Sequence, residues 1–128
     1  MMMSKEKPRA VVMGHGSFSA GMISAVEQIT GLGATFVTVT NTGLSPGGIE
    51  SALREVIAAS GATVVFTDLP AGSCTMAARR IAKADGNLTV VTGVTLPTLL
   101  AFALGADARD ATERGRESLL LVEGGGGA

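Results

Sequence analysis

The chain has no tryptophan and no tyrosine, and its only aromatic side chains are four phenylalanines. Stacking platforms for nucleobases or sugar rings need exposed aromatic faces, so they are nearly absent here. A single cysteine excludes a disulfide framework and suits a reducing compartment. Neither sign of charge dominates: 10 Lys and Arg against 11 Asp and Glu leave a formal charge of −1. With no basic stretch, no nucleic acid and no anionic membrane surface is expected as a partner. The longest apolar stretch, around Leu96 to Leu104, is far short of the ~20 residues a bilayer-spanning helix needs. Met1 to Arg9 is short and charged, unlike a signal peptide. The expectation is a small cytoplasmic protein with one domain over residues 1–123. Residues 124–128 form a Gly-rich tail that reads as a flexible linker and is excluded from the fold.

What is present is Ala, Val, Leu and Ile in two alternating patterns. Short β-branched runs at Ala10 to Met13, Ala34 to Val39, Ala62 to Thr67 and Leu88 to Thr92 read as four strands. Between them the apolar spacing is helical. Met22, Ile23, Val26 and Ile29 make one stripe, and Ile49, Leu53, Val56 and Ile57 make another. Ser45 is placed to cap the second helix, with Pro46 at its first position. A third helix starts near Ser73 and runs through Met76, Ala77 and Ile81. Leu96 to Leu104 reads as a buried helix and Asp107 to about Arg116 as a more polar one. Strand and helix in alternation imply an α/β fold: a doubly wound, mainly parallel sheet with helices on both faces. A 2-1-3-4 strand order is the expected arrangement. Leu119 to Val122 forms a last apolar run, a terminal strand that needs a sheet to pair with, its own or another subunit's.

Open parallel sheets bind ligands beyond the carboxyl ends of their strands, where the strand order reverses. Gly14-His15-Gly16-Ser17-Phe18 follows the first strand, and Asp68-Leu69-Pro70-Ala71-Gly72-Ser73-Cys74 follows the third. In a 2-1-3-4 order these loops are neighbours, so the single histidine faces a strand-end aspartate. Free imidazole titrates near ~6.5 and is largely neutral at cytosolic pH. A carboxylate that accepts the Nδ1 proton fixes the tautomer and leaves Nε2 as a nucleophile. Gly14 and Gly16 remove side chains that would obstruct an approaching partner. Gly72 and Ser73 open the third helix, whose first N–H groups suit phosphate oxygens, and the hydroxyls of Ser73 and Ser17 can add donors.

Blander roles fit some of the same residues. Asp68 also suits a turn, Ser73 a helix cap, and Cys74, without a second cysteine, a small packing residue. Arg79-Arg80 reads as a solvated helix face. Gly43 and Gly47-Gly48 lack the spacing and the lysine of a phosphate-binding loop. No metal site is expected.

Val11 to Met22, with its Gly14-His15-Gly16-Ser17-Phe18 core, resembles the phosphorylation-site strand and loop of the mannose-family enzyme IIA of the bacterial sugar phosphotransferase system. Val64 to Asp68 followed by Gly72-Ser73 resembles that family's second site loop, and Thr92-Gly93-Val94-Thr95-Leu96-Pro97 its fourth strand and Pro-containing helix. The resemblance runs from about residue 9 to 122. It implies that His15 accepts a phosphoryl group from the phosphocarrier protein HPr and passes it to a IIB subunit. Asp68 would orient the ring, and Ser73 would help cradle the phosphoryl group. It implies no cofactor beyond that transient group, and only indirect dealings with the membrane IIC and IID subunits. It also implies a homodimer that exchanges C-terminal strands. One loop departs from the family pattern: Pro70-Ala71-Gly72-Ser73-Cys74 stands where a Gly-Gly-Ser/Thr-Pro loop is usual, and resembles the N-acetylgalactosamine-like branch. A phosphohistidine regulatory module and the phosphoryl-donor subunit of a dihydroxyacetone kinase are the alternative readings.

Overall fold

Ala10–Gly14 (β1), Phe36–Thr40 (β2), Val64–Thr67 (β3) and Thr89–Val91 (β4) pair as one all-parallel sheet in the order β2-β1-β3-β4. The expected strand order therefore holds. The computed structural model describes residues 8–125, so the charged N-terminal segment through residue 7 and the tail residues 126–128 lie outside the described residues. Among the described residues five helices connect and cover the sheet: Phe18–Thr30 (α1), Pro46–Ser60 (α2), Ser73–Ala84 (α3), Leu96–Ala103 (α4) and Ala108–Ser118 (α5).

The sheet is covered on both faces, and the two inner strands show it. Every residue of β1 and β3 is buried, as expected where a parallel strand has helices above and below. Side chains along β1 alternate between two cores. Val11 and Met13 pack with Ile49 and Leu53 of α2 and Ala77 and Ile81 of α3. Ala10 and Val12 pack with Val26 of α1, Leu99 and Phe102 of α4 and Ala111 of α5. The second core holds three phenylalanines, Phe36, Phe66 and Phe102, with ring centroids 5.2–6.2 Å apart. Arg9 closes that core from below. Its guanidinium stands 4.5 Å from the Phe102 ring centroid and donates to the Phe102 carbonyl at 2.8 Å.

Helix starts follow the sequence signals in two cases. Ser45 accepts from the Gly48 N–H with Pro46 at the first turn of α2, and Asp107 accepts from the Asp110 N–H at the start of α5. Other expectations shift. A 3-10 turn at Gly33–Thr35 delays β2 to Phe36. Ile29 is 60% exposed and falls outside the α1 stripe, and Met76 is exposed as well. The inward stripe of α3 is Cys74, Ala77, Ala78 and Ile81, an i, i+3, i+4, i+7 set that turns Met76 outward. Arg80 is more than a solvated residue: it donates to Glu50 of α2 at 2.8 Å and ties two neighbouring helices together.

Leu119 to Val122 does not join its own sheet. The segment has no regular secondary structure and pairs with no strand, and its four apolar side chains are 76–86% exposed. Among the described residues β4 pairs only with β3, so its outer edge is open.

Candidate functional site

The strand order reverses between β1 and β3, and the register Met13↔Thr67 brings the two following loops side by side. His15 and Asp68 meet there. The Nδ1 atom of His15 lies 2.8 Å from Oδ2 of Asp68, and the backbone N–H of His15 donates to the same oxygen at 2.9 Å. The aspartate is tucked in, with its side chain 10% exposed, while the histidine ring remains 46% exposed. One carboxylate oxygen thus holds both the backbone and the ring of His15. The other, Oδ1, is buried and takes no hydrogen bond from the described residues.

Burial by itself would raise the Asp68 carboxyl. The hydrogen bonds from the His15 ring and backbone, and its charge, outweigh it and hold the group below the ordinary carboxylate value. Asp68 is therefore an anion across the neutral range. An anion beside Nδ1 selects the tautomer with the proton on Nδ1, which directs the free lone pair of Nε2 outward.

Gly14 has a different role from the one expected of it. It is buried, so it does not clear a path for a partner. A Cβ at this position would stand 2.6 Å from Cδ2 of Phe18 and 3.0 Å from both Cγ and Oδ2 of Asp68. The missing side chain is what lets the carboxylate come up to His15.

The remaining expected residues surround the ring to different degrees. Gly72, not Ser73, is the residue that caps α3, with φ 110°, a conformation that favours glycine. A Cβ there would lie 3.8 Å from Cε1 of His15, so the Gly72 backbone runs alongside the imidazole. Ser73 is the first helical residue rather than the cap, because Gly72 supplies the turn. Ser17 precedes α1, is exposed, and makes no capping bond. Gly16 follows His15 in the exposed loop with φ 57°. Helices α1 and α3 thus both begin without a side-chain cap. The first N–H of α1, that of Phe18, is taken by the His15 carbonyl at 3.1 Å, whereas the first N–H groups of α3 have no partner among the described residues and stay open to an anion.

Two groups of site residues escaped the sequence reading. At the end of β2, the Asn41 side-chain oxygen accepts from the Gly16 N–H at 3.2 Å, and the Thr40 hydroxyl donates to the Gly16 carbonyl at 2.8 Å. The rule that directs attention to strand ends after β1 and β3 applies equally after β2, and would have found them. Behind Asp68, the buried hydroxyls of Thr67 and Thr75 lie 2.7 Å apart and both reach the Leu69 carbonyl. They pin the loop that carries the carboxylate. Cys74 is fully buried. Burial and the nearby Asp68 charge raise its thiol, which makes it a packing residue.

A family model described as "PTS system fructose IIA component" matches residues 9–119. The mannose/sorbose-specific IIA subunit of the phosphotransferase system from Enterococcus faecalis has a similar structure, at TM-score 0.77 and 20% identity, covering 91% of this chain and 96% of that one. The PTS IIA protein associated with the fucose utilization operon from Streptococcus pneumoniae matches at TM-score 0.77 and 20% identity, over 93% of this chain and 96% of its own. The phosphotransferase component EIIA from Streptococcus agalactiae matches at TM-score 0.74 and 20% identity, over 88% and 95% respectively. Comparison with curated protein sequences gave no match. The structural likeness bears on the fold. The family model, which spans the sheet, both site loops and the helices as far as Leu119, establishes that this chain belongs to the mannose-type IIA component family of the sugar phosphotransferase system.

Proposed function

We propose that His15 is the phosphoryl-carrying residue of this IIA component, loaded on Nε2 and unloaded from it during carbohydrate uptake. The observation that carries the reading is the 2.8 Å contact between Nδ1 and Asp68 on a ring that is otherwise open to a partner. In the neutral ring, Nδ1 keeps its proton against Asp68 and Nε2 offers its lone pair. Nε2 attacks the phosphorus of the phosphohistidine of HPr, and a new N–P bond forms. The donor's N–P bond breaks, and its electron pair returns to the donor imidazole. Positive charge develops on the His15 ring, and the Asp68 anion stabilises it. The same exchange in reverse passes the group to a IIB subunit. The phosphoryl oxygens need donors more than covalent chemistry. Ser17 and the Gly72–Ser73 segment, at the uncapped starts of α1 and α3, are the candidates to supply them, rather than Gly16, whose N–H is already given to Asn41.

No cofactor beyond the transient phosphoryl group enters this scheme, and the reaction belongs in the cytoplasm. No helix among the described residues is long and apolar enough to cross a membrane, and contact with the IIC and IID subunits is indirect. The Pro70-Ala71-Gly72-Ser73-Cys74 loop favours an amino-sugar branch. A homodimer with exchanged C-terminal segments is also proposed. It is supported by the exposed Leu119 to Val122 run and by the open edge of β4, which has a cleft of about 780 Å³ beside Val90 and one of about 250 Å³ beside Val91. Deleting residue 119 onward should yield monomer or aggregate, and an unaltered dimer would contradict the exchange.

The direct test is incubation with phosphoenolpyruvate, enzyme I and HPr, followed by intact mass. An acid-labile phosphate that appears on the wild type and is lost in His15→Ala is the expected result. No phosphate with a competent HPr would leave a fold that lacks this chemistry.

A further inference from the structure

We propose that Thr40 and Asn41 are positioning residues which clamp the Gly16 peptide on both sides and so fix the direction in which His15 presents Nε2. The inference rests on the reading of His15 as the phosphoryl carrier, and deepens it. Asp68 grips His15 from the β3 side, through the backbone N–H and Nδ1. The turn after His15 is closed locally by the Phe18 N–H, which donates to the His15 carbonyl at 3.1 Å and leaves the Gly16 peptide between them to be held from elsewhere. On the β2 side, the Gly16 N–H donates to Oδ1 of Asn41 at 3.2 Å, and the Gly16 carbonyl accepts from Thr40 at 2.8 Å. Both polar groups of the residue that follows the histidine are therefore held by side chains of another strand.

The clamp follows from the sheet. Gly14 pairs with Thr40 in the β1–β2 register, and the Asn41 N–H reaches the Gly14 carbonyl at 3.4 Å, continuing the pairing one residue past the strand. Thr40 and Asn41 are thereby carried alongside the histidine loop. The Thr40 hydroxyl has one proton and two lone pairs. Its proton goes to Gly16, so it accepts from the Thr42 N–H at 3.2 Å and from the Thr42 hydroxyl at 3.0 Å. Thr42 thus fixes the rotamer of Thr40. Thr40, Thr42 and Gly16 are exposed, where water would satisfy these groups nearly as well, so the clamp adds little to stability. What it does is narrow the orientations of a loop whose Gly16 sits at φ 57°, where glycine has the most backbone freedom. Misplacing a reacting atom by about 1 Å costs on the order of 100-fold in rate.

The test compares single-turnover transfer from phospho-HPr for the wild type, Asn41→Ala, Thr40→Val, Thr40→Ser and the Asn41→Ala/Thr40→Val double variant. The rate at saturating donor should fall roughly 10-fold in each of the first two variants and towards 100-fold in the double variant. Half-saturation and melting temperature should be unchanged, and Thr40→Ser, which keeps the hydroxyl, should transfer like the wild type. Wild-type rates in Asn41→Ala and Thr40→Val would overturn the proposal, as would failure of Thr40→Ser to rescue. A second readout needs no phosphate: the Gly16 amide and His15 ring resonances should shift and broaden in Asn41→Ala while the rest of the NMR spectrum is retained. If the wild type takes no phosphate but this change appears, the clamp stands and the carrier reading fails. If the wild type is phosphorylated and the variants match it by both readouts, the clamp fails and the carrier reading stands.

Discussion

Adding one methyl group at Gly14 tests how closely the site is packed. The Cβ of Gly14→Ala would sit 2.6 Å from Cδ2 of Phe18 and 3.0 Å from Cγ and Oδ2 of Asp68. Favourable carbon–carbon separations are about 3.5–4.0 Å, so the ring contact is short by about 1 Å and the carboxylate contact by about half that. The β1 backbone cannot retreat, because Gly14 is paired with β2 on one side and flanks β3 on the other. Phe18 and Asp68 must therefore move. Overpacking of this kind costs about 1–3 kcal/mol, or a fall in Tm on the order of 5–10 °C for a chain of this size. The chemical effect is expected to be larger than the thermal one. Oδ2 carries both bonds to His15, so displacing it releases the ring and its tautomer together. Phosphoryl uptake from phospho-HPr should slow by roughly 10- to 100-fold in a protein that still folds. Uptake at the wild-type rate with unchanged Tm would refute the reasoning, since it would mean that neither neighbour is held where the structure places it.

Asp68→Asn should narrow the stability advantage of the wild type in acid. The Asp68 carboxyl lies below its ordinary value of 3.8 when folded, so its stabilising contribution is fully present above about that pH and is lost as the pH falls through the lower folded value. Urea denaturation of both proteins across pH 2–7 (roughly) measures it, and a gap that widens toward low pH would contradict the assignment. Cys74 is buried and its thiol is raised, so native protein should react with iodoacetamide on the order of 100-fold more slowly than denatured protein. Comparable rates would show that the start of α3 opens readily. Thr75→Val removes a buried hydroxyl that reaches Thr67 and the Leu69 carbonyl and should cost about 1–2 kcal/mol in denaturant unfolding. No loss would mean that these bonds do not hold the Asp68 loop.

Much of this protein is written in local pattern. The apolar run of Ala10 to Met13 marked a strand, and its lack of a polar side fits a parallel strand covered on both faces. Ser45-Pro46 marked the start of α2, because capping chemistry acts within four residues. His15 and Asp68 were legible as a pair, because each is a chemically distinctive residue at a strand's carboxyl end, and the strand order makes those ends neighbours. The sequence by itself therefore determined the element order, the sheet class and the two residues that meet at the candidate site.

Tertiary structure decided what depends on distances between segments remote in sequence. Gly14 looked like clearance for a partner, and its actual function is clearance for Asp68, 54 residues further along the chain. Thr40 and Asn41 carry no motif; they matter because the β1–β2 register sets them against Gly16. Met76 reads as apolar core by type, but the helical phase fixed by Cys74 and Ala77 turns it outward. Leu119 to Val122 reads as a strand, but a strand exists only where an edge meets it, and this chain folds without bringing its own β4 edge to that segment. Propensity and periodicity act over a few residues, whereas a contact needs coordinates.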